Sequence, residues 1–326
     1  MNEPRAILAI AVSPFGQALT LLPAMRAIRA AYPRAFIAVA TSKGLCELLA
    51  ASGLVDETIE LGVIKSPETG GGLKRLFRLM KRARRSDFDT VLDFAPRVET
   101  QVIARLVVRA RTVTPSRLPH VIEIFTGKSA RRDDESAYRS VLRQLGLEMN
   151  DARFGFDLPE EENAQFEKLL ARKGSRGGEP IVLLYGSGAA GGWPVESFGE
   201  IAARLANNFG ARIVVADEPG DKTFTDALSA LLPQGAIRLA EPRALTVTAA
   251  AARASLVITD DAGFARLAAY FRAPVLEIAD EPRASLSSPA HRIAQAASRA
   301  RVTTDEVYEI ACEMIQDIRS ASLFQR

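Results

Sequence analysis

The sequence predicts an α/β protein made of two doubly wound parallel-sheet domains. Three observations carry that expectation. Short β-branched apolar runs, the mark of strands buried on both faces of a parallel sheet, alternate with segments of helical spacing. A Gly-rich, charged stretch over residues 172–179 interrupts this alternation and reads as the end of a hinge, after which the alternation begins again. The chain has 326 residues, enough for two domains at roughly 100–200 residues each.

In chain order, residues 6–12 (AILAIAV) form a first buried strand, and Ser13-Pro14-Phe15-Gly16-Gln17 turns the chain. Leu21, Met25 and Ile28 then recur at helical spacing, with the helix starting near Pro23 and closing at Tyr32-Pro33. Residues 35–40 give a second strand, 45–51 a helix ended by Gly53, and 58–61 a third strand. This is a βαβαβ unit with right-handed crossovers. Residues 90–94 and 111–114 extend its sheet. Between them and the third strand, Leu73, Leu76, Phe77 and Met80 mark one face of an amphipathic helix, with seven cations from Lys74 to Arg85 on the rest. That helix packs on the sheet with a solvated basic side, a side that also suits an anionic membrane surface.

The second half repeats the pattern. Residues 181–185 (IVLLY) are a buried strand, followed by a small-residue turn from Gly186 through Ser187 and Gly188 to Gly192. The turn lacks the Lys-Ser/Thr of a Walker A loop, it is read here as not matching the G-x-G-x-x-G dinucleotide fingerprint, and it is expected to be a phosphate cradle or a mobile loop. Trp193-Pro194 leads into a helix over 195–208. Strands follow at 212–216 and 237–239, with helices at 223–232 and 245–253. Residues 256–278 (LVITDDAGFARLAAYFRAPVLEI) organise this half as strand, acidic turn, helix and strand. Asp260-Asp261 can cap that helix, and in an open α/β sheet the turn sits where a phosphate or sugar is held. A last helix over 304–321 is expected to be capped by Thr304, with Asp305 and Glu306 in its first turn.

Composition narrows the function classes. At 48% hydrophobic and 25% charged the chain is an ordinary globular protein, and its net charge of +3 is too weak to argue for nucleic acid. No apolar run approaches the roughly 20 residues of a bilayer span, and the N-terminus has no signal-peptide layout. The expected location is therefore cytoplasmic. Cys46 and Cys312 have neither metal spacing nor a disulfide framework. With His120 and His291 the only histidines, a histidine-built metal site or a Ser-His-Asp triad is not expected. No metal and no other cofactor is expected.

Several segments carry a resemblance. The strand, turn and Pro-bearing helix over 7–24, Ala30-Ala31-Tyr32-Pro33, the FDTVLD run at 88–93, residues 185–194 and residues 260–268 are similar to signatures of glycosyltransferase family 9, the ADP-heptose:lipopolysaccharide heptosyltransferases. The resemblance covers nearly the whole chain. It implies a GT-B architecture, two Rossmann-like α/β domains facing a central cleft. Residues 1–160 would be the acceptor-side domain, 161–179 the hinge, 180–303 the nucleotide-sugar side and 304–326 a closing helix. It also implies transfer of a sugar from an ADP-heptose-like donor to a lipopolysaccharide or other glycan acceptor, with a lipid-linked saccharide as partner and location peripheral on the inner membrane's inner face.

The departures from the family pattern are as informative. The family's catalytic base, an Asp, falls on Gln17, whose neutral amide cannot take a proton from an attacking hydroxyl. Its phosphate-binding Lys falls on Gly191, and its Ser and His on Ala262 and Arg266. Arg266 can still pair with a diphosphate. The donor side would comprise Gly186, Ser187, Gly188 and Trp193 with Asp260, Asp261, Gly263 and Arg266, where the resemblance puts Asp261 on sugar hydroxyls. The acceptor side would comprise Ser13, Phe15 and Gly16 with Arg97, Arg117 and His120. Asp93, Glu99 and Glu123 are the carboxylates considered as substitute bases. Losing Asp, Lys and His together is also what a non-catalytic binding protein on the same scaffold would show.

Overall fold

A computed structural model describes residues 3–11, 15, 21–61, 88–94, 111–114, 134–149, 157–175, 177–186, 192–239, 242–280 and 290–324. The chain divides into two compact units, Met1–Asp157 and Leu158–Arg326.

In the first unit, β1 (Ala6–Ile10), α1 (Leu21–Ala31), β2 (Phe36–Thr41), α2 (Lys43–Ser52) and β3 (Glu57–Glu60) follow one another. After them come β4 (Thr90–Asp93), β5 (Arg111–Val113) and α3 (Asp134–Gln144). The five strands are parallel in the order β3-β2-β1-β4-β5. Central β1 is buried from Ile7 to Ile10, as expected for a strand covered on both faces. α1 lays Leu21, Leu22, Met25 and Ile28 on the sheet, and α2 ends at Gly53 in the left-handed conformation glycine tolerates, φ 67°. α3, a charged helix absent from the sequence reading, packs on α1.

Arg29, in the last turn of α1, ties three segments of this unit together. Its guanidinium donates to Leu54 O at 3.1 Å, Ala35 O at 2.8 Å and Asp56 Oδ2 at 2.6 Å. The same Asp56 oxygen accepts the Ile37 amide at 2.7 Å, so one ion pair fixes the entries of β2 and β3.

The second unit opens with α4 (Glu160–Arg172), where the sequence reading placed a hinge over 161–179. Phe166 and Leu170 are buried and α4 packs on a later helix of its own unit, so most of that stretch is domain rather than linker. β6 (Ile181–Tyr185), α5 (Val195–Phe209), β7 (Arg212–Ala216), α6 (Thr223–Leu228), β8 (Ile237–Leu239) and α7 (Ala244–Arg253) follow. Then come β9 (Leu256–Thr259), α8 (Ala262–Tyr270), β10 (Val275–Ala279), β11 (His291–Gln295) and α9 (Thr304–Phe324). The six strands are parallel in the order β11-β10-β9-β6-β7-β8. α9 packs on α5 and on β9 to β11 of this unit. Its first turn is capped by the Thr303 hydroxyl, which accepts the Glu306 amide at 3.2 Å, one residue earlier than the expected Thr304. Glu277 and His291, both buried, meet across β10 and β11 at 3.1 Å. Among the described residues, no helix is long and apolar enough to cross a membrane.

Arg29→Ala should remove three anchoring bonds at once while leaving little cavity at a partly exposed site. Urea unfolding is expected to show a loss of about 1–3 kcal/mol with unchanged slope. An unchanged midpoint would mean that the three contacts contribute nothing.

Candidate functional site

The order of the second sheet locates the site. Numbered within their own sheet, its strands run 3-2-1-4-5-6, and the direction of winding reverses between β6 and β9. Ligands of open α/β sheets bind beyond the carboxyl ends of the strands at that reversal. Here Tyr185, the last residue of β6, pairs in register with Thr259, the last of β9. Gly186 and Asp260-Asp261 thus leave the sheet side by side. The fold therefore brings together two stretches that lie far apart in the sequence.

Each side chain there has a definite job. Gly186 has no room for a side chain, because an added Cβ would lie 2.4 Å from the Phe224 ring. Tyr185 stacks on Phe264, the first aromatic of α8, at 3.7 Å between ring centroids. Asp260 accepts the Trp193 amide at 3.0 Å on Oδ2, and its carbonyl accepts Arg299 Nη1 at 2.7 Å. Trp193 is buried, gives its indole N–H to Val302 O at 2.9 Å and packs edge-on against Phe198. Asp260 and Trp193, both candidate donor contacts, form a structural latch between the β9–α8 turn and the start of α5.

Asp261 turns the other way. It is the N-cap of α8, extended at φ −103° and ψ 109°, and its Oδ1 accepts the Phe264 amide at 2.7 Å. Its own amide donates to the Thr259 hydroxyl at 3.0 Å. The free N–H groups that would draw a phosphate to this helix already have a carboxylate on them. Burial raises the Asp261 pKa above the usual carboxylate value, Asp260 and Glu218 push it further, and the amides of Phe264 and Gly263 oppose the rise. Gly263 is buried in the first turn of α8, and Arg266 is half-buried in the next.

Two features escaped the sequence reading. One is Asp217, buried directly after β7, which accepts the Phe224 amide at 2.8 Å and the Thr225 amide at 2.9 Å and so caps α6. The signal was an acid closing the second strand of a Rossmann-like unit. With Glu218 it makes this sheet edge acidic, and the fields of both, with Asp261, keep the buried Tyr185 phenol protonated far above its ordinary range, burial being the main cause. The other is the glycine spacing. Gly186, Gly188 and Gly191 do occupy the first, third and sixth positions of G-x-G-x-x-G, and the turn lies between β6 and α5. The reading that assigned no such fingerprint is corrected here. What separates the turn from an NAD site is Asp217, the acid placed for a ribose, which has two oxygens engaged in capping α6.

In the first unit, Phe15 is buried, and Asp93 is buried at the carboxyl end of β4, paired in register with Ile10 of β1. Gln17, Ser13, Gly16, Arg97, Glu99, Arg117, His120 and Glu123 lie outside the described residues, as do Ser187, Gly188, Gly191 and the basic stretch from Lys74 to Arg85. Among the described residues, no three His, Cys, Asp or Glu side chains converge as metal ligands.

No family profile and no curated protein sequence matches the chain. Solved structures do match it. A glycosyltransferase family 9 protein from Veillonella parvula DSM 2008 is 16% identical and aligns over 96% of this chain and 97% of its own, with a TM-score of 0.72. The E. coli heptosyltransferase WaaC, solved with ADP-2-deoxy-2-fluoro heptose, is also 16% identical, over 94% and 99%, with a TM-score of 0.66. The chain has the fold of the family 9 glycosyltransferases. A UDP-GlcNAc 2-epimerase from Neisseria meningitidis, bound to UDP-GlcNAc, aligns over 95% and 91% at 12% identity, with a lower TM-score of 0.54. The fold is GT-B in type, two Rossmann-like units, and it serves more than one chemistry.

Asp261→Asn should keep the cap, since Asn caps as well as Asp, while removing a carboxyl whose ionisation is disfavoured in the folded state. A raised pKa means the folded protein holds the proton longer, so the wild type loses stability as pH rises from about 4. The variant should melt at the same temperature as wild type below about pH 4 and at a higher one at neutral pH. A difference independent of pH would show that Asp261 ionises as freely in the fold as out of it.

Proposed function

We propose that the chain binds a nucleotide-diphosphate sugar at the carboxyl edge of β6 and β9, as a glycosyltransferase divergent from the heptosyltransferases. The observation that carries this reading is the meeting of Tyr185-Gly186 with Asp260-Asp261 at the strand reversal of a sheet whose fold relatives include one holding an ADP-sugar. The chemistry of the edge refines it. Carboxylates accept hydrogen bonds from hydroxyls and repel phosphates, so Asp261 suits the sugar end of the donor. The diphosphate would lie toward the Gly186-Ser187-Gly188 turn, with Arg266 as its cation.

Transfer breaks the bond from the sugar's anomeric carbon to the diphosphate and forms one to an acceptor hydroxyl, whose proton must leave. Gln17 cannot receive it. Asp93 is the described carboxylate on the central strands of the first unit, at the same sheet edge from which the chain runs on to Gln17. The acceptor on this reading is a lipopolysaccharide or other glycan, lipid-linked and met from the cytoplasmic side, with the Lys74 to Arg85 cations on the membrane. The combination of Gln17, Gly191 and Arg266, where the resemblance implies Asp, Lys and His, favours a second reading, binding of a nucleotide, glycan or partner enzyme without turnover.

Calorimetric titration with ADP, UDP and GDP, each with and without magnesium, tests the site. One nucleotide should bind in the micromolar range without needing magnesium, and Arg266→Ala should weaken it about tenfold. Absence of binding by all three would overturn the donor-site reading. Release of nucleotide from its sugar conjugate when a saccharide acceptor is added distinguishes transferase from binding protein.

A further inference from the structure

The turn from β2 into α2 carries a second, different kind of site. Helix α2 has ten residues, and Ser42 stands at its N-cap with an extended backbone, φ −69° and ψ 157°. A Ser there normally accepts an amide of the first turn, yet the Ser42 side chain makes no such bond. The first helical bond runs from the Cys46 amide to Ser42 O at 3.0 Å, so the amides of Lys43, Gly44 and Leu45 precede the helix's own ladder. Asp261, Asp217 and Thr303 supply acceptors for α8, α6 and α9, whereas α4, α5 and α7 start, like α2, without a side-chain cap.

An independent observation points to a ligand at the same place. Thr41 Oγ1 and Ser42 Oγ are buried, with residue exposures of 0% and 5%, and neither has a hydrogen-bond partner in the protein. A buried hydroxyl left unsatisfied is costly, and Ser42 Oγ, at the N-cap, is the one beside the first-turn amides of α2. The charge balance agrees. No acidic residue stands in the first turn of α2, and Lys43 is exposed at its first position. Cys46 adds no charge near pH 7, because burial pushes its thiol up to about 11. Glu60, the register partner of Thr41 on β3, is exposed to solvent and screened there. β2 ends at the carboxyl edge of its sheet, beside β1, which is the edge where α/β proteins take ligands.

We propose that Ser42, Lys43 and Gly44 form an anion site for a phosphate monoester, with first-turn amides and the Ser42 hydroxyl donating and Lys43 balancing the charge. This site is separate from the nucleotide-sugar edge and stands or falls without it. A phosphorylated sugar and the headgroup of an acidic lipid share the recognised chemistry.

The test is amide NMR of the deuterated, 15N-labelled full chain at constant ionic strength. Inorganic phosphate should produce saturable shifts at Lys43, Gly44 and Leu45, while Gly186 and Trp193 at the other edge stay unmoved. Lys43→Ala, at an exposed position that does not threaten the fold, should weaken the response about tenfold, and Ser42→Ala should weaken it as well. Glucose 6-phosphate and vesicles of phosphatidic acid in phosphatidylcholine are then compared. Tighter binding of the sugar phosphate assigns the site to a soluble ester, and tighter binding of the vesicles assigns it to a lipid. Shifts that grow linearly without saturating, or that Lys43→Ala leaves unchanged, would overturn the proposal. ADP binding at the other edge, measured on the same sample, separates a failure here from a failure of the donor reading.

Discussion

The second unit depends on what Asp260 holds. Its side chain takes the Trp193 amide and its carbonyl takes Arg299, so the end of β9, the start of α5 and the short helical turn at 299–301 are pinned to one residue. Trp193 extends the latch to Val302 and, through Phe198, to Phe224. Phe224 in turn lies against Gly186, which explains why that position has no side chain. A ligand edge must be rigid to be selective, and here the rigidity comes from groups that a motif comparison would count as ligand contacts. Asp260 and Trp193 hold the edge together, and Asp261 and Gly186 are what it presents.

Electrostatics then decides which end of a nucleotide-sugar this edge suits. A free helix N-terminus attracts phosphate, but α8 carries its own carboxylate on those amides, and Asp217, Glu218 and Asp260 stand close by. On the proposed function this acidic edge would suit the hydroxyls of the sugar rather than the phosphates. Helix α2 in the first unit shows the opposite arrangement, a cap hydroxyl that makes no bond and a cation at the first position. The same architectural element thus has two chemistries, set by whether the residue before the helix is an acid that closes the site or a serine that leaves it open.

Much of the fold was legible in the sequence. β1, β2, β6, β7 and β9 read as apolar runs because a parallel sheet covered on both faces needs no polar alternation, and β10 departs from that only at Glu277. β11 escaped because this edge strand, HRIAQ, is mostly polar and buries only His291 and Ala294, three residues apart, which gives neither an apolar run nor a period of two. α3 and α4 escaped because their buried faces are short within charged stretches, and for α4 the adjoining glycines at 174, 177 and 178 suggested a linker. The acidic turn was legible as a cap. That Asp260 closes on Trp193, and that Asp217 caps α6, were not legible, since such bonds depend on which segments the sheet brings together. The G-x-G-x-x-G spacing was present in the sequence and was passed over.

On the proposed function, Asp261 and the ends of β6 and β9 hold the sugar of a nucleotide-sugar. Hydrogen exchange of the full chain, with ADP alone and with an ADP-sugar, tests it most directly. The sugar should add protection at residues 259–264 beyond what ADP gives, and Asp261→Ala should abolish the increment but not the protection due to ADP. Equal protection by ADP and its sugar conjugate at those residues would contradict it.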